Sequence, residues 1–150
     1  MNSIVRALTA GALLVTGPFV HAQTAPAACP DMPADSGLTW EYKAAASTQF
    51  CRALRADGSE AFGLYIAKDS AFKPARGNRA EETRIDGRNV HWYRSEIAGK
   101  PNVQARETLI ELPDGRVAYL WIHANTPAEL GESIARTGSL RFSDSRVAGK

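Results

Sequence analysis

Residues 106–142 read RETLIELPDGRVAYLWIHANTPAELGESIARTGSLRF, and local rules agree with one another more closely there than anywhere else in the chain. Leu109, Ile110 and Leu112 close a β-rich run over 103–112. Pro113-Asp114-Gly115 supplies what a tight connection needs: proline fixes φ at the first corner, aspartate caps the turn, and glycine takes the left-handed position. Residues 117–124 come back with Val117, Tyr119 and Trp121 on one side and Ala118, Leu120 and Ile122 on the other. Both faces are apolar, which predicts a central strand covered above and below. Thr126-Pro127-Ala128-Glu129 then has the form of a capping box with proline at the first helical position. Leu130 and Ile134 give the helix a narrow apolar stripe, Gly138 is placed as its left-handed stop, and 139–142 re-enter as a short strand.

Upstream, the same rules give more hairpins. Leu38, Trp40 and Tyr42 alternate with polar residues and predict a short strand that packs them inward, followed by a short helix over 43–49. Residues 49–56 and 60–67 flank Asp57-Gly58 and pair as a hairpin. Residues 68–78 mix Lys68, Asp69, Lys73, Pro74, Arg76 and Gly77 without a period and read as a surface loop. A second Asp-Gly at Asp86-Gly87 joins 83–85 to a strand over 89–97, with Val90, Trp92, Arg94 and Glu96 on one face and His91, Tyr93 and Ser95 on the other. Strands first and a helix late describe an α+β domain: an antiparallel β-sheet of about six or seven strands with a C-terminal helix packed on one face. It covers 38–143, and 144–150 form a polar tail.

At the start, Arg6, an apolar run over 7–20 and Val20-His21-Ala22 have the form of a secretory signal at 1–22, cleaved after Ala22. A Pro/Ala-rich leader follows at 23–37. Export to the periplasm or beyond makes Cys29 and Cys51, the two cysteines of the chain, a predicted disulfide, with lipidation of Cys29 as the alternative. Cleavage removes only Arg6 among the charged residues, leaving 17 Lys and Arg against 16 Asp and Glu. That balance argues against nucleic acid as a partner, and no second apolar stretch is long enough to enter a bilayer.

Reaction motifs are not found. There is no Gly-x-Ser-x-Gly elbow and no phosphate-cradling glycine loop. Glu81 and Glu82 point to opposite faces of a strand and are expected to balance Arg79 and Arg84. His91 and His123 would meet only if their strands were adjacent, where Glu96, Glu107 or Glu111 would complete an acid-base or metal site. No catalytic residue, metal or cofactor is assigned. Trp92, Tyr93, Arg94, Tyr119 and Trp121 are residue types that dominate binding surfaces, with most of them needed for the core. The candidate binding residues are Trp92, Tyr93, Arg94 and Glu96 on one strand, with Lys73, Arg76 and Arg79 in and beside the long loop.

The ending Glu132-Ser133-Ile134-Ala135-Arg136-Thr137-Gly138-Ser139-Leu140-Arg141-Phe142 resembles that of the PsbP-like α/β/α sandwich proteins, in which an antiparallel sheet is followed by a late helix and a short Ser-x-x-Phe-type strand. The resemblance covers about the last 60 residues. It implies a binding or assembly factor without catalysis. The expectation is an exported, non-enzymatic protein-binding module of a Gram-negative bacterium, in its sharper form an immunity or inhibitor protein against a cell-wall-active toxin. The alternatives are an assembly factor, a small-ligand carrier and a small hydrolase using His91 and His123.

Overall fold

Three Asp-Gly pairs punctuate the chain, and each closes a hairpin as its spacing dictates. Asp57-Gly58 and Asp114-Gly115 sit in three-residue loops with the same bonds. Arg55 N–H donates to Ser59 O (2.8 Å) and Gly58 N–H to Arg55 O (2.9 Å), while Leu112 N–H donates to Arg116 O (2.8 Å) and Gly115 N–H to Leu112 O (3.0 Å). In both the aspartate accepts from the backbone two residues on, and the glycine has φ above +80°, the geometry of a turn followed by a one-residue bulge. Asp86-Gly87 is instead a two-residue connection with positive φ at both positions, +49° and +77°, which matches the twist of the strands it joins.

The structure is a computed structural model that describes residues 29–142. The expected signal peptide, the first residues of the leader and the polar tail lie outside the described residues. Seven strands form one antiparallel sheet: β1 (Thr39–Ala45), β2 (Thr48–Leu54), β3 (Glu60–Ala67), β4 (Arg79–Ile85), β5 (Arg88–Ser95), β6 (Gln104–Glu111) and β7 (Val117–Ala124). The order across the sheet is β1-β2-β3-β7-β6-β5-β4. Two meanders, β1 to β3 and β4 to β7, are thus stitched together where β3 pairs with β7, Gly63 opposite Trp121 through Ala67 opposite Val117. The expected sheet and late helix are both present. Between Ala45 and Thr48 the short helix expected over 43–49 is replaced by a two-residue hairpin turn whose first residue, Ala46, takes φ +51°. Ala44, Ala45 and Ala46 have helix propensity, but pairing along β2 overrides it.

The helix α1 (Pro127–Thr137) follows β7 directly and lies on one face. Thr126 caps it by accepting from Glu129 N–H at 3.1 Å. The Glu129 carboxylate reaches back to Asn125 N–H at 2.9 Å, one residue beyond the cap itself. Leu130, Ser133 and Thr137 form the buried stripe, with Ile134 half-buried beside it. Ser133 is tolerated there because its hydroxyl accepts from Arg55 Nη2 at 3.0 Å. Gly138 corrects the expected left-handed stop, since its φ is −62°. What the site requires is a missing side chain: a Cβ there would lie 3.2 Å from Ala135 O and 3.3 Å from Arg84 O.

One margin of the sheet, and the leader beside the other, reach the end of this helix. Arg84 of β4 touches it at Gly138, and Arg136 bonds Ser36 O just before β1. The sheet therefore curls round α1, making the helix side concave and the other side convex. On the concave side Phe62, Leu64, Ile85, Trp92, Leu120, Ile122 and Leu140 are fully buried; each contributes about 1.5–3 kcal/mol. Residues 139–142 meet the leader rather than the sheet, through a bridge between Asp31 and Arg141. Cys29 and Cys51 form the expected disulfide, and Trp40 donates to Pro30 O at 2.8 Å, so the described part of the leader is fastened beneath β1 and β2. Trp40 packs inward as its alternation implies, but Tyr42 is 47% exposed, because β1 lies at the margin of the sheet.

Two ion-pair expectations change. Glu81 and Glu82 do lie apart, but Glu81 binds Arg106 through both carboxylate oxygens (2.6 and 2.8 Å), and Glu82 faces His91 Nδ1 at 3.4 Å. Arg94 and Arg106 stand directly opposite across β5 and β6, a like-charge pair that opposes strand pairing. Glu81 offsets it, and the Arg106 guanidinium holds the Glu81 carboxyl below the usual carboxylate range.

Two outcomes follow for stability. Unfolded, unreduced protein is expected to show no free thiol, and Cys29→Ser to cost about 3 kcal/mol in urea unfolding, since the bridge closes a loop of 22 residues. A depressed carboxyl adds stability above its unfolded value and loses it as pH falls through the folded one. Glu81→Gln should therefore cost about 1 kcal/mol at neutral pH, and the cost should fade as the pH drops through the lowered folded value, measured as the pH dependence of the melting temperature.

Candidate functional site

The convex face breaks the usual pattern. An antiparallel sheet with one covered face ordinarily turns polar residues outward. Here Phe50 of β2, Tyr65 of β3, Leu109 of β6, and Val117, Tyr119 and Trp121 of β7 all lie on the side away from α1 and are half-buried. Residues 117–124 thus form a central strand as expected, but their second face is covered by neighbouring rings rather than by another layer of structure.

The rings are in contact and hydrogen-bonded. Tyr65 lies 4.9 Å from Tyr119 and 5.9 Å from Phe50, and Tyr119 lies 5.9 Å from Trp121, centroid to centroid. Tyr119 donates its hydroxyl to Glu107 at 2.6 Å, and Trp121 donates Nε1 to Glu60 at 2.8 Å. Glu60 also accepts from Arg52 Nε at 2.7 Å, and Arg52 reaches Glu41 at 2.8 Å. Burial, together with the Glu107 charge, raises the Tyr119 phenol pKa, so it stays a donor at any physiological pH. Trp121 lies flat across β3 because residue 63 is glycine: a Cβ there would be 2.2 Å from the indole Cζ2.

The 68–78 loop folds over this cluster. Ser70 meets the Tyr65 hydroxyl at 2.6 Å, and Phe72 packs 5.5 Å from Tyr119 and 5.9 Å from Tyr93. Beside it β5 and β6 separate. Their register covers only Tyr93 to Ser95 against Ala105 to Glu107, and farther along Thr108 Oγ1 donates to His91 O at 2.8 Å while Arg88 bonds Glu111 O. The resulting groove, about 440 Å³, is lined by Pro74, Arg88, His91, Tyr93 and Leu109 among others.

This arrangement sorts the candidate residues. Tyr93 reaches the convex face and is buried under Phe72, whose backbone neighbour Lys73 is exposed, as is Arg76 farther along the loop. Trp92 must be corrected: it points to the concave side and is 0% exposed, a core residue whose Nε1 has no hydrogen-bond partner. Arg94 is exposed on the concave side, where it donates to Arg79 O at 3.0 Å, and Arg79 begins β4. Glu96 lies beyond β5 in a separate shallow groove with Ile97, Lys100 and Val103. His91 and His123 are not brought together, since β6 separates their strands. His123 faces Ala105, Ala105 faces Ser95, and Ser95 is four residues from His91, which sets their Cα atoms about 16 Å apart. Among the described residues no group of three or more His, Cys, Asp or Glu is placed to hold a metal ion. The sequence reading missed Phe72 and Glu60, and it placed Glu107 beside the histidines rather than under the Tyr119 hydroxyl. Phe72 was the one large apolar residue in an otherwise polar loop, and that signal could have marked it.

Compared with protein-family models, curated proteins and solved structures, the chain matches none. Among the described residues no helix is long and apolar enough to cross a membrane.

Gly63→Ala is expected to displace the Trp121 ring, cost about 2 kcal/mol and shift tryptophan emission as the Glu60 bond breaks. Gly131→Ala, where a Cβ meets open space, should leave emission unchanged and raise stability by about 0.5–1 kcal/mol.

Proposed function

We propose that the protein is an exported, non-enzymatic module that binds another protein on the convex face of its sheet, and that in its sharper form it is a periplasmic immunity or inhibitor protein that plugs the cleft of a cell-wall-active toxin. The observation that carries this reading is the half-buried aromatic cluster, whose Tyr119 and Trp121 are held by Glu107 and Glu60. Fixed aromatic side chains supply area and hydrogen bonds with little entropy left to lose, the property of residues that anchor interfaces. Beside them, the groove between β5 and β6 and the exposed Lys73 and Arg76 provide relief and charge. The Cys29–Cys51 disulfide is compatible with an oxidising compartment. A carrier reading has less support, since the space between sheet and helix is filled by side chains. A histidine-pair hydrolase is disfavoured by the separation of His91 and His123.

A photo-crosslinking residue placed at Leu109 or Pro74, beside the groove, is expected to capture one periplasmic protein of fixed mass, and one placed at Glu132 on the exposed side of α1 to capture none. Phe72→Asp should weaken that capture at least about tenfold, with circular dichroism showing that the variant is still folded. Equal capture from all three positions, or a small molecule copurifying in place of a protein, would overturn the reading.

A further inference from the structure

The two margins of the sheet are built differently, and β1 is the one left open. It is seven residues long, straight in register with β2, and free of proline. All of it but Trp40 is exposed, and Tyr42 is the one large apolar side chain among the described residues that stands exposed. The leader runs beneath β1 through Pro30 and Cys29, and no described strand pairs along its outer side. β4, at the other margin, is guarded. Its register with β5 is shifted between Arg79 and Glu82, and pairing it with its own copy about Glu81 and Glu82 would set those acids against each other and Arg79 against Arg84.

We propose that β1 pairs antiparallel with β1 of a second copy of this chain, Tyr42 opposite Tyr42, to join two sheets into one. The sequence of the strand is self-complementary about that residue. Glu41 falls opposite the Lys43 of the other copy and Lys43 opposite its Glu41, both on the convex side, while Trp40 meets Ala44. Backbone polarity agrees. Ala45 and Thr48 close a two-residue turn, so bonding alternates inward from them and the N–H and C=O groups of Ala44, Tyr42 and Trp40 point away from β2. Those groups of one copy meet the same set of the other. Lys43 has no ion-pair partner among the described residues, and the Glu41 carboxylate, 2.8 Å from Arg52 through Oε1, keeps its other oxygen for an incoming ammonium. The twofold axis stands perpendicular to the sheet, so both convex faces look the same way and a dimer presents two copies of the aromatic cluster side by side. One strand pair buries little surface, which sets the affinity in the range of about 10–100 µM.

Sedimentation velocity on the oxidised protein tests this between about 1 µM and 1 mM. The native chain should pass from monomer to dimer across that range. Lys43→Glu sets glutamates opposite one another at both ends of the seam and should weaken association at least about tenfold, and Glu41→Lys should do the same with lysines. Mixed in equal amounts, the two variants restore opposite charges at every position and should form a heterodimer as tight as the native dimer. Unchanged melting temperatures establish that each variant is folded. A native chain that stays monomeric to about 1 mM, a Lys43→Glu variant that associates like the native one, or a mixture no heavier than its components would each overturn the proposal.

Discussion

The antiparallel register between β3 and β7 is the constraint on which the rest of the structure depends. Each meander is held by short connections, but neither alone covers α1. Only when Leu64 stands opposite Leu120 and Ile66 opposite Ala118 do the concave side chains of both meanders become one surface. That contact joins residues 50 to 58 positions apart in the chain, so its closure entropy is offset only by burial of the whole core at once. Gly63 sits at one end of it, opposite Trp121, and bears on both sides of the sheet. The glycine lets Trp121 lie across β3 on the convex side, and its neighbours Phe62 and Leu64 fill the concave one.

Carboxylates fasten the strands wherever like charges or unsatisfied donors would otherwise separate them. Glu81 lies between two arginines that the register forces together, Glu60 takes bonds from Arg52 and Trp121, and Glu107 holds Tyr119. Each acid is on a different strand from the group it binds. The nearly neutral charge of the protein is therefore largely internal, spent on cross-strand pairs, and the exposed basic residues of the 68–78 loop stand out against it.

Much of the fold was legible in the chain because the instructions were local. An Asp-Gly pair forces positive φ within two or three residues, and Thr126, Pro127 and Glu129 start a helix through bonds inside its first turn. The failures came where the deciding contact was distant. The alanines at 44–46 favour a helix until β2 takes them as a hairpin. Alternation separated Trp92 from Tyr93 but could not say which side would meet α1, so the tryptophan chosen for the surface became the centre of the core. Phe72 was passed over in a polar loop because nothing nearby in sequence gives it a partner. Its contacts, Tyr93 and Tyr119, lie 21 and 47 residues away.

The sequence by itself determined the three Asp-Gly hairpins, the capped helix, the cysteine pairing and the class of fold, because turn geometry, capping and cross-linking are set by residues close in the chain or by the absence of any other partner. The tertiary structure alone decided the order of the strands, the curl of the sheet round α1 and the identity of the convex face. Those follow from which side chains pack together across the β3–β7 seam, and packing depends on register between segments whose separation in sequence carries no signal of their contact. The candidate site belongs to the second group. It is assembled from β2, β3, β5, β6, β7 and one loop, and no stretch of the chain holds more than a fragment of it.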